Sequence, residues 1–249
     1  MNNIKKLLFL CLVGLFLFVA TELCSHYGNP ITQLRIQWDA EQHMEQYHND
    51  LDWDISSISY SPVDERYFVY IYSPTSVDTQ FYLTYESARM IADSYEALVL
   101  SGHTTHERIS RVYNQLVCSV IPAELVPNTK LYISASLCSD YYIDTLDVSG
   151  VEGIDPSTLV RDAEYDVKAL GAKHGEIVIY ADCADATSTQ MLAIMRAVAV
   201  ELDQAGVPFA LITITIRSND TTAVMQPITR DALISDNALQ IIQDNLTNA

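Results

Sequence analysis

The chain has 249 residues, with 14 Lys and Arg against 32 Asp and Glu, and a formal net charge of −18 at neutral pH. That balance excludes a basic nucleic-acid-binding face, and 49% hydrophobic against 18% charged residues excludes a disordered polyelectrolyte. Eight Gly and eight Pro exclude a collagen-like or Gly/Pro linker chain.

Lys5 and Lys6 precede 14 uninterrupted apolar residues at positions 7–20 (LLFLCLVGLFLFVA), the order of an export leader. The first acid is Glu22, so the positive flank belongs on the cytoplasmic side and the remainder is translocated. Cleavage after Ala20 would place Phe18 where a small residue is wanted, and Thr21-Glu22-Leu23 lacks the small residues that precede a lipidated Cys24. A helix over 7–21 is roughly 22 Å long, short of the ~30 Å hydrocarbon core. Extension to Ile4 and Leu23, with the lysines snorkelling, closes the gap. Residues 1–24 are therefore read as an uncleaved single-pass anchor in the cell membrane, with the C-terminal part extracytoplasmic. A cleaved leader and a secreted product is the alternative. Beyond the apolar run, 12 cations face 32 acids, a solvated surface that repels anionic lipid.

After a break at 25–30, residues 31–48 have helical spacing, with Ala40, Met44, Tyr47 and Leu51 in one series and Ile31, Leu34 and Trp38 in another. Three β-rich runs follow at 55–60, 67–72 and 81–85, joined by Ser-Pro and Asp turn residues. They predict a three-stranded antiparallel meander with Val69 and Ile71 on one face and Phe68 and Tyr70 on the other. Helices are predicted over 88–100 and from 104 to about 120, the second opened by a Thr104-x-x-Glu107 capping box. Pro122 and Pro127 bound a linker, so the first domain spans 25–128 in the order α-β-β-β-α-α.

The second domain, 129–249, opens with a strand at 131–136 and an irregular acidic stretch at 138–156, and residues 160–170 read as a weak helix or strand. A buried strand at 176–180, a helix capped by Thr187-x-x-Gln190 and a strand at 209–216 form a β-α-β unit with a parallel crossover. Residues 223–234 add an edge strand, and Ser235 caps a last helix. The fold class is α+β: a membrane or signal helix, a helix with a meander and covering helices, then a small mixed-sheet sandwich.

Cys24, Cys118, Cys138 and Cys183 are widely spaced and form no C-x-x-C pair, which argues against a zinc ribbon or a thioredoxin motif. Cys118 and Cys138 could pair in an oxidising compartment, and four cysteines allow three pairings among which sequence does not choose. Gly171-x-x-x-Gly175 is one residue short of a phosphate loop and is followed by Glu176, so a tight turn before a strand explains it better and no cofactor is expected. His103, His106 and Glu107 supply imidazole and carboxylate donors for a borderline divalent ion, although capping already accounts for Glu107. His43 and His48 are five apart, which turns them about 140° from each other on a helix and away from a shared ion. Asp50-x-Asp52-x-Asp54 starts like a calcium loop, but Ile55 and Ser61 stand where Gly and Glu are needed. Asp182, Cys183 and Asp185 follow a strand and precede a helix N-terminus, where α/β sheets place ligands and where a thiol can be activated. Tyr67, Tyr70, Tyr72, Tyr82 and Tyr85 make up a candidate aromatic face for a peptide or glycan.

The segment Asp54-Ile-Ser-Ser-Ile-Ser-Tyr-Ser-Pro, Ser73-Pro74 with Asp78-x-Gln-Phe-Tyr-Leu, and the stretch from Glu164-Tyr165-Asp166-Val167 to Tyr180 resemble uncharacterised exported or membrane-anchored domains of Gram-positive bacteria. The resemblance implies an anchored extracytoplasmic protein and assigns no functional residue. The favoured reading is a non-enzymatic, membrane-anchored module for binding or assembly with a protein, peptide or glycan partner. The alternatives are a secreted metal-dependent hydrolase using His103 and His106, and a redox protein acting through Cys183.

Overall fold

The computed structural model describes Val13, Leu15, Glu22 and residues 25–248, apart from 123, 147, 149, 185, 219 and 220. The leader expected at 1–24, with Cys11 and Cys24, otherwise lies outside the described residues, as does Asp185. Among the described residues, no helix is long and apolar enough to cross a membrane. The chain divides into two compact units, Met1–Thr104 and Thr105–Ala249.

In the first unit, helix α1 (Pro30–Tyr47) begins where Asn29 Oδ1 accepts the Ile31 N–H at 2.9 Å and Pro30 supplies a pre-set φ. Ile36, Ala40 and Met44, one turn apart, form its buried stripe. Ile31, Leu34 and Trp38 are 70, 68 and 62% exposed, roughly 150° around the helix from that stripe at about 100° per residue. Tyr47, grouped with the buried series from its spacing, is also exposed.

Strands β1 (Asp54–Ser61), β2 (Arg66–Ser73), β3 (Ser76–Glu86) and β4 (Arg89–Asp93) form an antiparallel meander in that order. The sheet thus has four strands instead of the expected three, and the helix expected over 88–100 is replaced by β4 and a π-helical turn at Glu96–Leu100. A two-residue turn with Ser87 at φ 57° reverses the chain, and β4 then satisfies the open edge of β3 from Glu86 to Leu83. Tyr67, Val69 and Ile71 of β2 point inward, and Phe81, Leu83 and Tyr85 of β3 join them against the α1 stripe. Val99 of the π-helical turn completes this core.

Helix α2 (His103–Val120) starts one residue before the predicted capping box, so Thr104 lies in its first turn and its hydroxyl donates to Asp78 O at 2.5 Å. Ile109, Tyr113 and Val117 form a buried stripe that belongs to the second core. From sequence the first domain extends to 128; in the structure the units divide between Thr104 and Thr105.

The second unit contains β5 (Lys130–Leu137), α3 (Asp140–Ile143), α4 (Val167–His174), β6 (Gly175–Asp182), α5 (Ser188–Gln204), β7 (Leu211–Arg217), β8 (Thr222–Thr229), α6 (Arg230–Ile234), α7 (Ala238–Asp244) and β9 (Leu246–Asn248). Its five-stranded sheet runs β5-β6-β7-β8-β9, with β6 and β7 parallel and every other pair antiparallel. The predicted β-α-β unit is therefore β6-α5-β7. Thr187 Oγ1 caps α5 by accepting the Gln190 N–H at 3.2 Å, and Met191, Ile194, Met195, Val198, Ala199 and Leu202 bury its inner face. Ile212, Ile214 and Ile216 of β7 are fully buried opposite it. The strand predicted over 223–234 ends at Thr229 and lies inside the sheet, because β9 pairs beyond it and α6 follows. Ser235 does not cap the last helix: it is the C-cap of α6, its hydroxyl donating back to Ala232 O at 2.7 Å, and α7 starts at Ala238.

Two details fix α2 and α4 in this unit. Tyr113 reaches between Gly171 and Gly175 and donates to Pro208 O at 2.8 Å, and a Cβ on either glycine would overlap its ring or hydroxyl. Along the outer edge of β5, three side chains one turn apart on α2 meet alternate residues. Ser110 Oγ accepts the Leu137 N–H at 3.3 Å, Asn114 Oδ1 accepts the Ala135 N–H at 2.8 Å, and Cys118 Sγ donates to Ile133 O at 3.5 Å.

Candidate functional site

The five candidate tyrosines do not share one face. Tyr67 and Tyr85 point into the first core at 5% and 0% exposure. Tyr67 Oη accepts the Asn29 N–H at 2.8 Å, and Tyr85 Oη donates to Asp39 Oδ2 at 3.1 Å. Burial, with Asp39 and Asp93 nearby, pushes the Tyr85 phenol well above its ordinary value. Tyr70, Tyr72 and Tyr82 lie on the outer face of the sheet with Phe68. Tyr70 pairs with Tyr82 across the strands, their ring centroids 6.2 Å apart, and Phe68 meets Tyr82 edge-on at 5.8 Å. Tyr72 Oη donates to Asp54 Oδ2 at 3.2 Å, and that carboxylate raises the phenol pKa. Period-two alternation sorts 67 from 70 and 72, so a list of tyrosines in neighbouring strands necessarily mixes two faces.

A different cluster is the most chemically organised group of the unit. His43 Nε2 lies 2.9 Å and His48 Nε2 2.7 Å from the same oxygen, Asp93 Oδ2. Asp93 Oδ1 accepts the Tyr95 N–H at 2.8 Å. The ligand atoms of the three side chains all lie within 4.8 Å of one another, the one such group of three or more His, Cys, Asp or Glu among the described residues. His43 and His48, expected from helical spacing to point apart, meet because His48 is not helical. It is the C-cap of α1, at φ −131° and ψ 34°, and this backbone swings its ring back beside His43. Asp93 is the last residue of β4, a strand read from sequence as part of a helix, so its place beside the histidines had no sequence signal. Burial raises the Asp93 pKa, but hydrogen bonds from His43, His48 and the Tyr95 N–H outweigh it and hold the carboxyl below its usual range. Aromatic rings wall the cluster: Tyr47 lies 4.8 Å from His43, and Tyr95 and Phe81 lie 4.7 and 5.5 Å from His48.

His103 is the exposed first residue of α2 and His106 is half-buried; among the described residues no third ligand atom converges with the two. Asp50 and Asp52 are exposed in the turn before β1, and Asp54 Oδ1 accepts the Ile55 N–H at 2.8 Å. Cys183 follows β6 and is half-buried against the second core, its N–H donating to Arg217 O at 3.1 Å. Beside it, Asp182 is held by a bidentate pair with Arg217, at 3.0 and 3.2 Å, across the parallel strands. Asp182, Cys183 and Arg217 border a shallow hollow of about 400 Å³. Cys118 and Cys138 do not pair: each is a thiol, exposed on α2 and buried after β5 respectively. Cys138 Sγ donates to Glu176 Oε2 at 3.8 Å, and Tyr142 Oη donates to Glu176 Oε1 at 3.4 Å.

Among solved structures, a crystal structure of a DUF5037 family protein from Ruminococcus gnavus is similar over 85% of this chain and 97% of that chain, at 11% identity and a TM-score of 0.23. No curated protein matches the chain. Residues 131–243, from β5 to α7, match the family model of the YfjL-like C-terminal domain, so the α+β second unit is where the chain is similar to a known domain family.

Proposed function

We propose that the chain is a membrane-tethered, extracytoplasmic module for binding or assembly, of the exported kind met in Gram-positive bacteria. The observation that carries this reading is the exposed stripe Ile31, Leu34 and Trp38 on the first turns of α1, shortly after the apolar run at 7–20. Most of the surface of this stripe is left uncovered by the unit. Next to a bilayer anchor, Trp38 would sit at headgroup level and Ile31 and Leu34 against the acyl boundary. The acidic body gains nothing from anionic headgroups, so this contact rests on apolar burial. The outer aromatic face of Phe68, Tyr70, Tyr72 and Tyr82 is then the surface offered to a peptide or glycan outside the cell.

The test uses the full chain reconstituted in vesicles containing brominated lipid. The protein has two Trp, so Trp53→Phe leaves Trp38 as the sole emitter. Quenching of Trp38 emission is the expected result. Emission as bright as in unbrominated vesicles would overturn the docking of α1, and a C-terminal reporter active only inside the cell would overturn the extracytoplasmic reading.

A further inference from the structure

We propose that His43, His48 and Asp93 bind one divalent ion of the zinc class, clamping the end of α1 to the end of β4. Three separate pieces of backbone converge there: the last turn of α1, its non-helical cap and the terminus of β4. The donors are two imidazole nitrogens and one carboxylate oxygen, the set that borderline late first-row ions prefer and that leaves further positions open for water or an incoming ligand. The side chains of His43, His48 and Asp93 are 13, 10 and 24% exposed, so the group is shielded yet reachable.

To receive an ion the donor atoms, now within 4.8 Å of one another, must respace around it. Around a metal with bonds of about 2.0–2.1 Å, neighbouring ligand atoms stand roughly 3.3 Å apart. Here both imidazole nitrogens already approach one carboxylate oxygen, at 2.9 and 2.7 Å. Without metal, each ring Nε2 lies within hydrogen-bond distance of Asp93 Oδ2. A ring that carries its proton on Nδ1 presents the Nε2 lone pair, so an ion can take the place of the two hydrogen bonds. The Tyr95 N–H holds the second carboxylate oxygen, and the rings of Tyr47, Phe81 and Tyr95 restrict the imidazoles; such surrounding contacts orient metal ligands.

The probe is Co²⁺ added to the full-length, chelator-stripped protein in detergent, in millimolar Mg²⁺ and Ca²⁺ to saturate the acidic surface. One equivalent should give visible absorption of a low-coordinate nitrogen and oxygen site, displaced by one equivalent of Zn²⁺. His43→Gln and Asp93→Asn should each weaken binding by at least about tenfold with the far-ultraviolet circular dichroism unchanged. His103→Gln and His106→Gln should leave it intact. If a ligand variant fails to fold, the wild-type chain still decides: Zn²⁺ should shift the ring ¹⁵N resonances of His43 and His48 and not those of the other four histidines. Absence of saturable absorption, absorption that survives both ligand substitutions in folded protein, loss on His103→Gln, or unmoved His43 and His48 resonances would each overturn the proposal and leave a hydrogen-bonded staple.

Discussion

Glu176 enters β6 at 2% exposure, with Tyr142 and Cys138 as its donors. Burial raises its pKa and the two hydrogen bonds only partly oppose the rise. The folded carboxyl therefore holds its proton more tightly than the unfolded one. Its contribution to stability is complete below the ordinary carboxylate value and is lost as pH climbs through the raised one. Glu176→Gln should accordingly raise Tm at pH 7.5, with the gain vanishing near pH 4, as a pH series of thermal melts would read. The same burial, aided by Glu176, pushes the Cys138 thiol up to about 12, so native protein at pH 7.5 should take maleimide at Cys118 and none at Cys138, by mass spectrometry of tryptic peptides. Gly171→Ala or Gly175→Ala should each cost about 1–3 kcal/mol in denaturant unfolding, because Tyr113 fills the space a methyl would take. Sequence shows the two glycines but not this reason, since Tyr113 lies on another helix far back along the chain.

At the scale of elements, end chemistry carries much of the order. Removing the cap with Thr187→Ala should cost about 1 kcal/mol, since the Gln190 N–H of α5 loses its acceptor; an unfolding curve at fixed m-value checks it. This cap, the β6-α5-β7 unit and the inside-outside alternation of β2 were legible because each is written in adjacent residues. Residues 88–100 were not, because Met90, Ile91, Tyr95, Leu98 and Val99 fit a helical series as readily as a strand and a turn. The unpaired edge of β3, which decides in favour of β4, is a tertiary fact. The His43–His48–Asp93 group was hidden for the same reason: one member lies just past the helix whose period was used to judge it, and another ends the misread strand.

For the whole molecule, two large cores of separate composition hold the described chain, each closed by one sheet and its helices, with a small third cluster of Cys138, Ile143 and Leu211 in the second unit. The surplus of 32 acids over 14 cations imposes self-repulsion on both, so raising NaCl from low ionic strength to about 0.5 M should raise Tm, as a salt series of melts would measure. The alternation of elements was written in local sequence, whereas the division between Thr104 and Thr105 depends on which sheet the stripe of α2 chooses. The row of Ser110, Asn114 and Cys118 along β5 has a consequence for company as well as for folding. With two outward N–H groups and one carbonyl already engaged, that stretch of edge is a poor template for a visiting strand, which disfavours β-augmentation and fibre growth there. Asn114→Ala would unplug the Ala135 amide, and the expected result is concentration-dependent oligomers in light scattering from a protein that otherwise keeps to itself along that border.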